Sequence, residues 1–281
     1  MQKKTRRNKR KRKLLIRFFI KQLILLLIII SLGTIIYKQV KKYRTNNETN
    51  ISNEITYEDS IENSNGDSDE DKSGDAVNSG EYAEELNAAL RLNPELKDFV
   101  NGYEENKDKD FTIDLSKEAM SGEIPLLMQW DKRWGYHIYA GEPFALSGCG
   151  PTCLSMVCIG LLGDPSYTPL YISEYAQNNG YSLDSSGSFW TLISEGGQDL
   201  GLDVIEIPNY EQRIIDNLEV GNPIICIMGP GDFTETGHFV VLTKYVHGKI
   251  QINDPYRKSN SDKLWEYDEI ENQIQNLWVC R

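Results

Sequence analysis

The hydrophobic positions fall into blocks punctuated by Gly, Pro and Asn, and each block carries its own period. Residues 82–92 place Leu86, Ala89 and Leu90 on one helical face. Asn93-Pro94-Glu95 then reads as an N-cap, a first helical position and an acidic first turn, before a second helix with Leu96, Phe99 and Val100 on its apolar side and Gly102 at its end. Residues 152–162 are uncharged and apolar on every side, which predicts a short, central, buried helix closed by Gly163. Helices are predicted over 168–178, 190–201 and 209–219, with a strand at 203–207. Residues 223–228 form an apolar strand that enters a Gly-Pro-Gly loop. Residues 238–246 and 249–253 pair as a hairpin turning at His247-Gly248. Helices come first and antiparallel strands later, so the pattern predicts an α+β domain over 111–281 with a short helical extension at 82–110. The extension is expected to pack on that domain; an inhibitory pro-segment is the alternative.

The N-terminal portion has a different character. Residues 1–44 hold 15 of the 30 Lys and Arg and no acid, leaving 15 basic against 42 acidic side chains in the remainder. No basic nucleic-acid footprint survives outside that tail, so a nucleic-acid partner is not expected. The apolar segment 22–37 spans about 24 Å as a helix. Extension into residues 14–20 and snorkelling of Lys21 and Lys38 bring it to bilayer thickness. The chain is expected to divide into a basic cytoplasmic tail (1–21), a transmembrane signal-anchor (22–37) and a disordered acidic linker (38–81), with the folded part outside the cytoplasm. A cleaved signal peptide is the competing reading, but no Ala-x-Ala-like site follows the apolar run.

Candidate chemistry centres on Cys149, in Ser147-Gly148-Cys149-Gly150-Pro151-Thr152. The motif sets a thiol where the buried helix begins; its small neighbours leave the sulfur accessible, and the helix dipole favours a thiolate there. A thiol nucleophile needs a base and a group that orients the base. Of the three histidines, His247 lies in the hairpin turn and His137 has only Asp131 close by in sequence. His238 opens a strand and is the better base. Asp254, in Asn253-Asp254-Pro255, is the candidate orienter, although the same residue is an ordinary turn former before proline. Register opposes that pairing. A two-residue turn at His247-Gly248 puts His238 opposite Arg257 and Asp254 three residues along, about 10 Å away. A displaced turn or a bulge must close the gap; otherwise Asn253 is the fallback.

Gln129-Trp130-Asp131 with Trp134-Gly135, Gly148-Cys149-Gly150-Pro151-Thr152, Gly237-His238-Phe239-Val240-Val241-Leu242 and Asn253-Asp254-Pro255, in this order, resemble the extracellular branch of the cysteine-peptidase family thirty-nine-like proteins. These are similar to the papain-type double-glycine leader peptidases. The resemblance covers residues 124–278. It implies a papain-like fold, in which a buried N-terminal helix carries the cysteine and an antiparallel sheet carries His and Asp. It implies Cys149 as nucleophile, His238 as base, Asp254 as orienter and Gln129 as an oxyanion donor. Gln129 lies 20 residues before the cysteine, farther than in papain-type enzymes. With one apolar segment and no phosphate-loop motif, intracellular leader processing does not carry over.

The expected partner is a peptide or protein substrate associated with the cell envelope, with the membrane engaged through the N-terminal helix. Two rivals are an amidase, transpeptidase or acyltransferase using the same triad, and a non-catalytic surface binding module. No cofactor is expected. A metal site from Cys149, Cys153 and His238 lacks paired Cys-x-x-Cys spacing and a fourth ligand. Cys153, Cys158, Cys226 and Cys280 are expected to be inert, and Trp130, Trp134, Trp190 and Trp265 to be core aromatics.

Overall fold

The computed structural model describes Gly80 and residues 82–281. The expected cytoplasmic tail and transmembrane segment, and the expected linker apart from Gly80, lie outside the described residues. Among the described residues no helix is long and apolar enough to cross a membrane.

The longer helices are α1 (Ala83–Leu92), α2 (Cys149–Leu162), α3 (Pro169–Asn178) and α4 (Glu211–Glu219). Six strands, β1 (Val204–Ile207), β2 (Ile224–Met228), β3 (His238–Val246), β4 (Lys249–Asn253), β5 (Leu264–Trp265) and β6 (Ile274–Cys280), form one sheet in the order β1-β6-β2-β3-β4-β5. Every pairing in it is antiparallel. The domain is therefore α+β.

Alternation along the strands divides the core in two. Ile225, Ile227, Phe239, Val241, Trp278 and Cys280 join the cluster around α2. Ile224, Cys226, Met228, Val240, Leu242 and Val279 join a second cluster with Ile214 and Leu218 of α4. Both faces are covered, which is why β2 is buried along its whole length and reads as an unbroken apolar run. Helix α2 is buried from Gly150 to Ile159, as its lack of a polar face requires. Pro151 fits its first turn, where an amide has no intrahelical partner, and Gly163 ends it in the left-handed region (φ 68°). Thr168 caps α3 by accepting the Tyr171 amide.

The buried helix starts at Cys149, where the motif sets the thiol, three residues ahead of the uncharged run. Other expectations need correction. Residues 190–201 do not form one regular helix: a π-type turn at Leu192–Gly196 runs into Gly197–Asp199. The Gly196-Gly197 pair weakens helical propensity there, and Gly197 packs so closely that a Cβ on it would lie 3.0 Å from Val204. Strand β6 lies between β1 and β2 but was not anticipated; Gln275 and Asn276 break its apolar pattern at a register shift. Trp190 is exposed rather than a core aromatic, and meets the buried Trp278 edge-on at 5.8 Å, whereas Trp134 and Trp265 are buried.

The segment before the main domain packs on it. Leu86, Leu96, Phe99, Val100 and Tyr103 form a cluster with Tyr136 and Ala145. Phe99 stacks on Tyr136 with centroids 4.4 Å apart. Asn93 caps the 3-10 turn Pro94–Leu96, its side chain accepting the Glu95 amide.

Candidate active site

Cys149 is the first residue of α2, the end where helix amides lack partners and the dipole favours negative charge. Gly150 allows β3 and the ribbon Gly187–Ser188 to approach: a Cβ there would meet Ser188 Oγ at 2.6 Å and Phe239 at 3.5 Å. Ser188 is itself held by the Tyr139 hydroxyl at 2.6 Å. The His238 ring and the backbone amides of Phe239 and Gly150 lie near enough to the Cys149 sulfur to act on its protonation. Burial pushes this thiol up. His238 and the two amides outweigh that and hold it below the ordinary thiol value. The other four cysteines are buried, and burial raises each of them, Cys280 to about 12. Cys149 alone is partly exposed and tends toward thiolate.

His238 opens β3 opposite Met228 and is buried. Its Nε2 lies 2.8 Å from Asp254 Oδ1, which leaves Nδ1 for Cys149. Burial opposes a charge on this ring, but Asp254 and then Cys149 reverse the effect and raise it above the ordinary imidazole value. Asp254 is fully buried. Burial pushes its carboxyl up, and the His238 charge, with hydrogen bonds from His238, Asn260 and the Tyr256 amide, brings it below the usual carboxylate value. Its Oδ1 also accepts the amides of Tyr256 (2.8 Å) and Arg257 (3.1 Å), and its Oδ2 accepts Asn260 Nδ2 (2.8 Å). The Asp254 amide donates to Ser261 Oγ at 2.8 Å. One carboxylate thus serves as turn former and as partner of the imidazole.

The register conflict is resolved by a bulge. The hairpin turns tightly at His247 (φ 54°) and Gly248 (φ 80°), with Val246 opposite Lys249. An irregularity between Leu242 and Lys244 then shifts the pairing so that Val241 faces Asn253. Carried one residue further, Asp254 falls two positions from His238 rather than three, within reach of two side chains. Asn253 is not the orienter: its Nδ2 donates to the carbonyls of Ile124 (3.3 Å) and Pro125 (3.1 Å). His247 is exposed in the turn, and Asp131 is paired with Arg133 at 2.8 Å rather than with His137.

Gln129 is buried and lines the same cavity as Cys149 and His238. Its Nε2 donates to the Ala145 carbonyl at 2.7 Å, and its backbone amide donates to the Pro255 carbonyl at 2.8 Å. The first bond fixes the side chain and the second the backbone, despite the long sequence gap to Cys149. The cavity has a volume of about 420 Å³; Leu92, Leu146 and Tyr256 give it apolar walls, and Asp232, Glu235 and Arg257 give it charge. Leu92 comes from the N-terminal extension, which borders the cavity beside a still accessible Cys149. Among the described residues no cluster of His, Cys, Asp or Glu is arranged to hold a metal.

Sequence reasoning missed Asn260, Ser261 and the Phe239 amide. Nothing in their spacing marks them; only the Asp-Pro pair signals the turn that gathers them around Asp254.

Residues 121–280, more than half of the chain, match the profile of the Peptidase_C39 like family. No curated protein matches. Among solved structures, the peptidase domain of Streptococcus ComA, a bi-functional ABC transporter involved in a quorum-sensing pathway, is similar at 20% identity and a TM-score of 0.38. That match covers 47% of this chain and 89% of the other. A putative C39-like peptidase from Bacillus anthracis is similar at 15% identity and a TM-score of 0.38, over 57% of this chain and 96% of the other. On the strength of the profile match across residues 121–280, the chain belongs to the C39-like cysteine peptidase family.

Proposed function

We propose that the chain is a papain-like cysteine peptidase hydrolysing peptide or amide bonds, with Cys149 as nucleophile, His238 as proton carrier, Asp254 as orienting carboxylate and Gln129 as oxyanion donor. The observation that carries this reading is the 2.8 Å contact between His238 Nε2 and Asp254 Oδ1, with Cys149 and His238 lining one cavity.

The thiolate of Cys149 attacks the carbonyl carbon of the scissile bond. The developing oxyanion is met by the Cys149 amide at the head of α2 and by the Gln129 amide hydrogen not used by Ala145. His238 imidazolium passes its proton to the leaving amine, and a thioester remains. Neutral His238 then takes a proton from water, the resulting hydroxide attacks the thioester carbonyl, and the thiolate leaves beside a re-formed imidazolium. Asp254 fixes the ring through Nε2 and stabilises its charge in both half-reactions.

The proposal extends to location. The basic tail 1–21, the apolar segment 22–37 and the acidic linker 38–81 support a single-pass signal-anchor that holds the extension 82–110 and the domain 111–281 outside the cytoplasm. The substrate is then a peptide or protein of the cell envelope, and the acidic outer portion argues against nucleic acid.

The test is cleavage profiling of a diverse peptide library, with Cys149→Ala as control and an added amine to reveal acyl transfer. Cleavage lost in Cys149→Ala supports the proposal. Equal turnover in both proteins overturns it, and amide products in place of acids reassign the chemistry to transfer.

A further inference from the structure

Asp254 is held by a loop, and that loop is held by residues outside the family match. The short helix Lys258–Ser261 presents Asn260 to the carboxylate and Ser261 to the amide of Asp254. Glu95 lies 163 residues earlier and meets the start of this helix. Its Oε2 accepts the Lys258 amide at 2.7 Å and its Oε1 accepts the Ser259 amide at 3.0 Å. Two of the amides a helix leaves unpaired at its start are thereby satisfied by one carboxylate. Asn93, buried two residues before Glu95, donates to the Tyr256 carbonyl at 2.7 Å, and the Leu92 carbonyl accepts from Arg257 Nη2 at 2.8 Å. Four hydrogen bonds from Leu92, Asn93 and Glu95 thus grip residues 256–259, which begin two residues after Asp254.

We infer that Glu95 is a positioning residue that acts through the Lys258–Ser261 helix on Asp254, so that residues 82–110 are part of the catalytic unit and not a removable pro-segment. The inference rests on the peptidase reading above. Gln251 and Trp265 also hold the loop, through the carbonyls of Ser261 (2.7 Å) and Asn260 (2.9 Å). These bonds anchor the end of the short helix; Glu95 anchors its start, the end that follows the Asp254 turn. The extension's bonds to this loop run to backbone amides, a backbone carbonyl and Arg257, none of them to the Asp254 carboxylate itself. The extension therefore acts by geometry. With Glu95 removed, Asn260 and Ser261 lose their fixed placement, Asp254 loosens from His238, and the imidazolium that supports the Cys149 thiolate is weakened.

The test uses the full chain and measures two quantities: the pH dependence of Cys149 alkylation by iodoacetamide, read by intact mass, and turnover of a cleaved peptide. The other four cysteines are buried, and Cys149→Ala gives the background. Glu95→Ala should raise the alkylation midpoint by about half a pH unit or more. It should lower kcat about threefold to tenfold with KM unchanged within about twofold. Glu95→Gln keeps one accepting oxygen and should fall between. Should Glu95→Ala fail to fold, Lys258→Pro carries the same readouts. It deletes one amide, together with the exposed Lys258–Asp262 ion pair, at a first helical position that tolerates proline and after an Arg257 already extended (φ −120°, ψ 106°). A wild-type midpoint and kcat in the folded variant overturn the inference and leave the peptidase reading intact. A wild-type chain whose midpoint matches that of His238→Ala overturns both.

Discussion

His238 Nε2 and Asp254 Oδ1 lie 2.8 Å apart with both side chains buried, and the same carboxylate oxygen accepts the two backbone amides that follow it. The imidazole partner is therefore locked by its own turn. Asp254 does two things at once: it supplies the charge beside His238 and it shapes the loop.

Asp254→Asn separates them. It keeps the size and an accepting oxygen but removes the charge that raises His238. We expect kcat to fall about tenfold to a hundredfold, with the folded state retained. Asp254→Ala also leaves an imidazole and several amides without their acceptor and should cost about 3–5 kcal/mol of stability, measured by urea denaturation.

The pH profile follows from the signs of the shifts. Cys149 is lowered, so the acid limb of activity should lie below the ordinary thiol range. His238 is raised, so the alkaline limb should lie above the ordinary imidazole value of about 6.5. Steady-state kcat/KM across pH checks both limbs; an acid limb at the ordinary thiol value would contradict the ion pair.

Stability should respond to pH through the same pair. The raised His238 contributes fully below about pH 6.5, and its contribution is lost as pH rises through its folded-state value. The lowered Asp254 contributes above about pH 3.9, and its contribution is lost as pH falls through its own folded-state value. Denaturation midpoints of the wild type and His238→Ala, compared over this range, should converge at the alkaline end.

Gln129→Ala tests the oxyanion role. A lost oxyanion donor lowers kcat about 10²- to 10³-fold with little change in KM. The substitution also leaves the Ala145 carbonyl without its partner, so the melting temperature should be recorded alongside. A fall in stability with unchanged kcat would make Gln129 a purely structural amide.

Anchoring is checked by fractionation. The full chain should sediment with membranes and resist alkaline extraction, and deletion of residues 1–44 should release it.

The sequence by itself determined the elements whose signals are local. The all-apolar run after Cys149 can only be a buried helix, since no face of it suits water. The alternation and the turn at His247-Gly248 define the β3–β4 hairpin, and Asn93-Pro94-Glu95 marks a helix start. Small residues around Cys149 identify the nucleophile candidate, because they suit an accessible sulfur at a helix head. Only the tertiary structure decided what meets what. The bulge between Leu242 and Lys244 chooses Asp254 over Asn253, and a one-residue slip leaves no trace in residue types. Strand β6 is an interior strand, paired on one side with the edge strand β1 and on the other with β2, although its own polar positions argue against it. Glu95 reaches the Lys258 and Ser259 amides across more than 160 residues, and backbone amides have no sequence signature. Local pattern fixes an element because its cause lies within a few residues; register, sheet order and long-range capping are set by packing free energy summed over the whole domain.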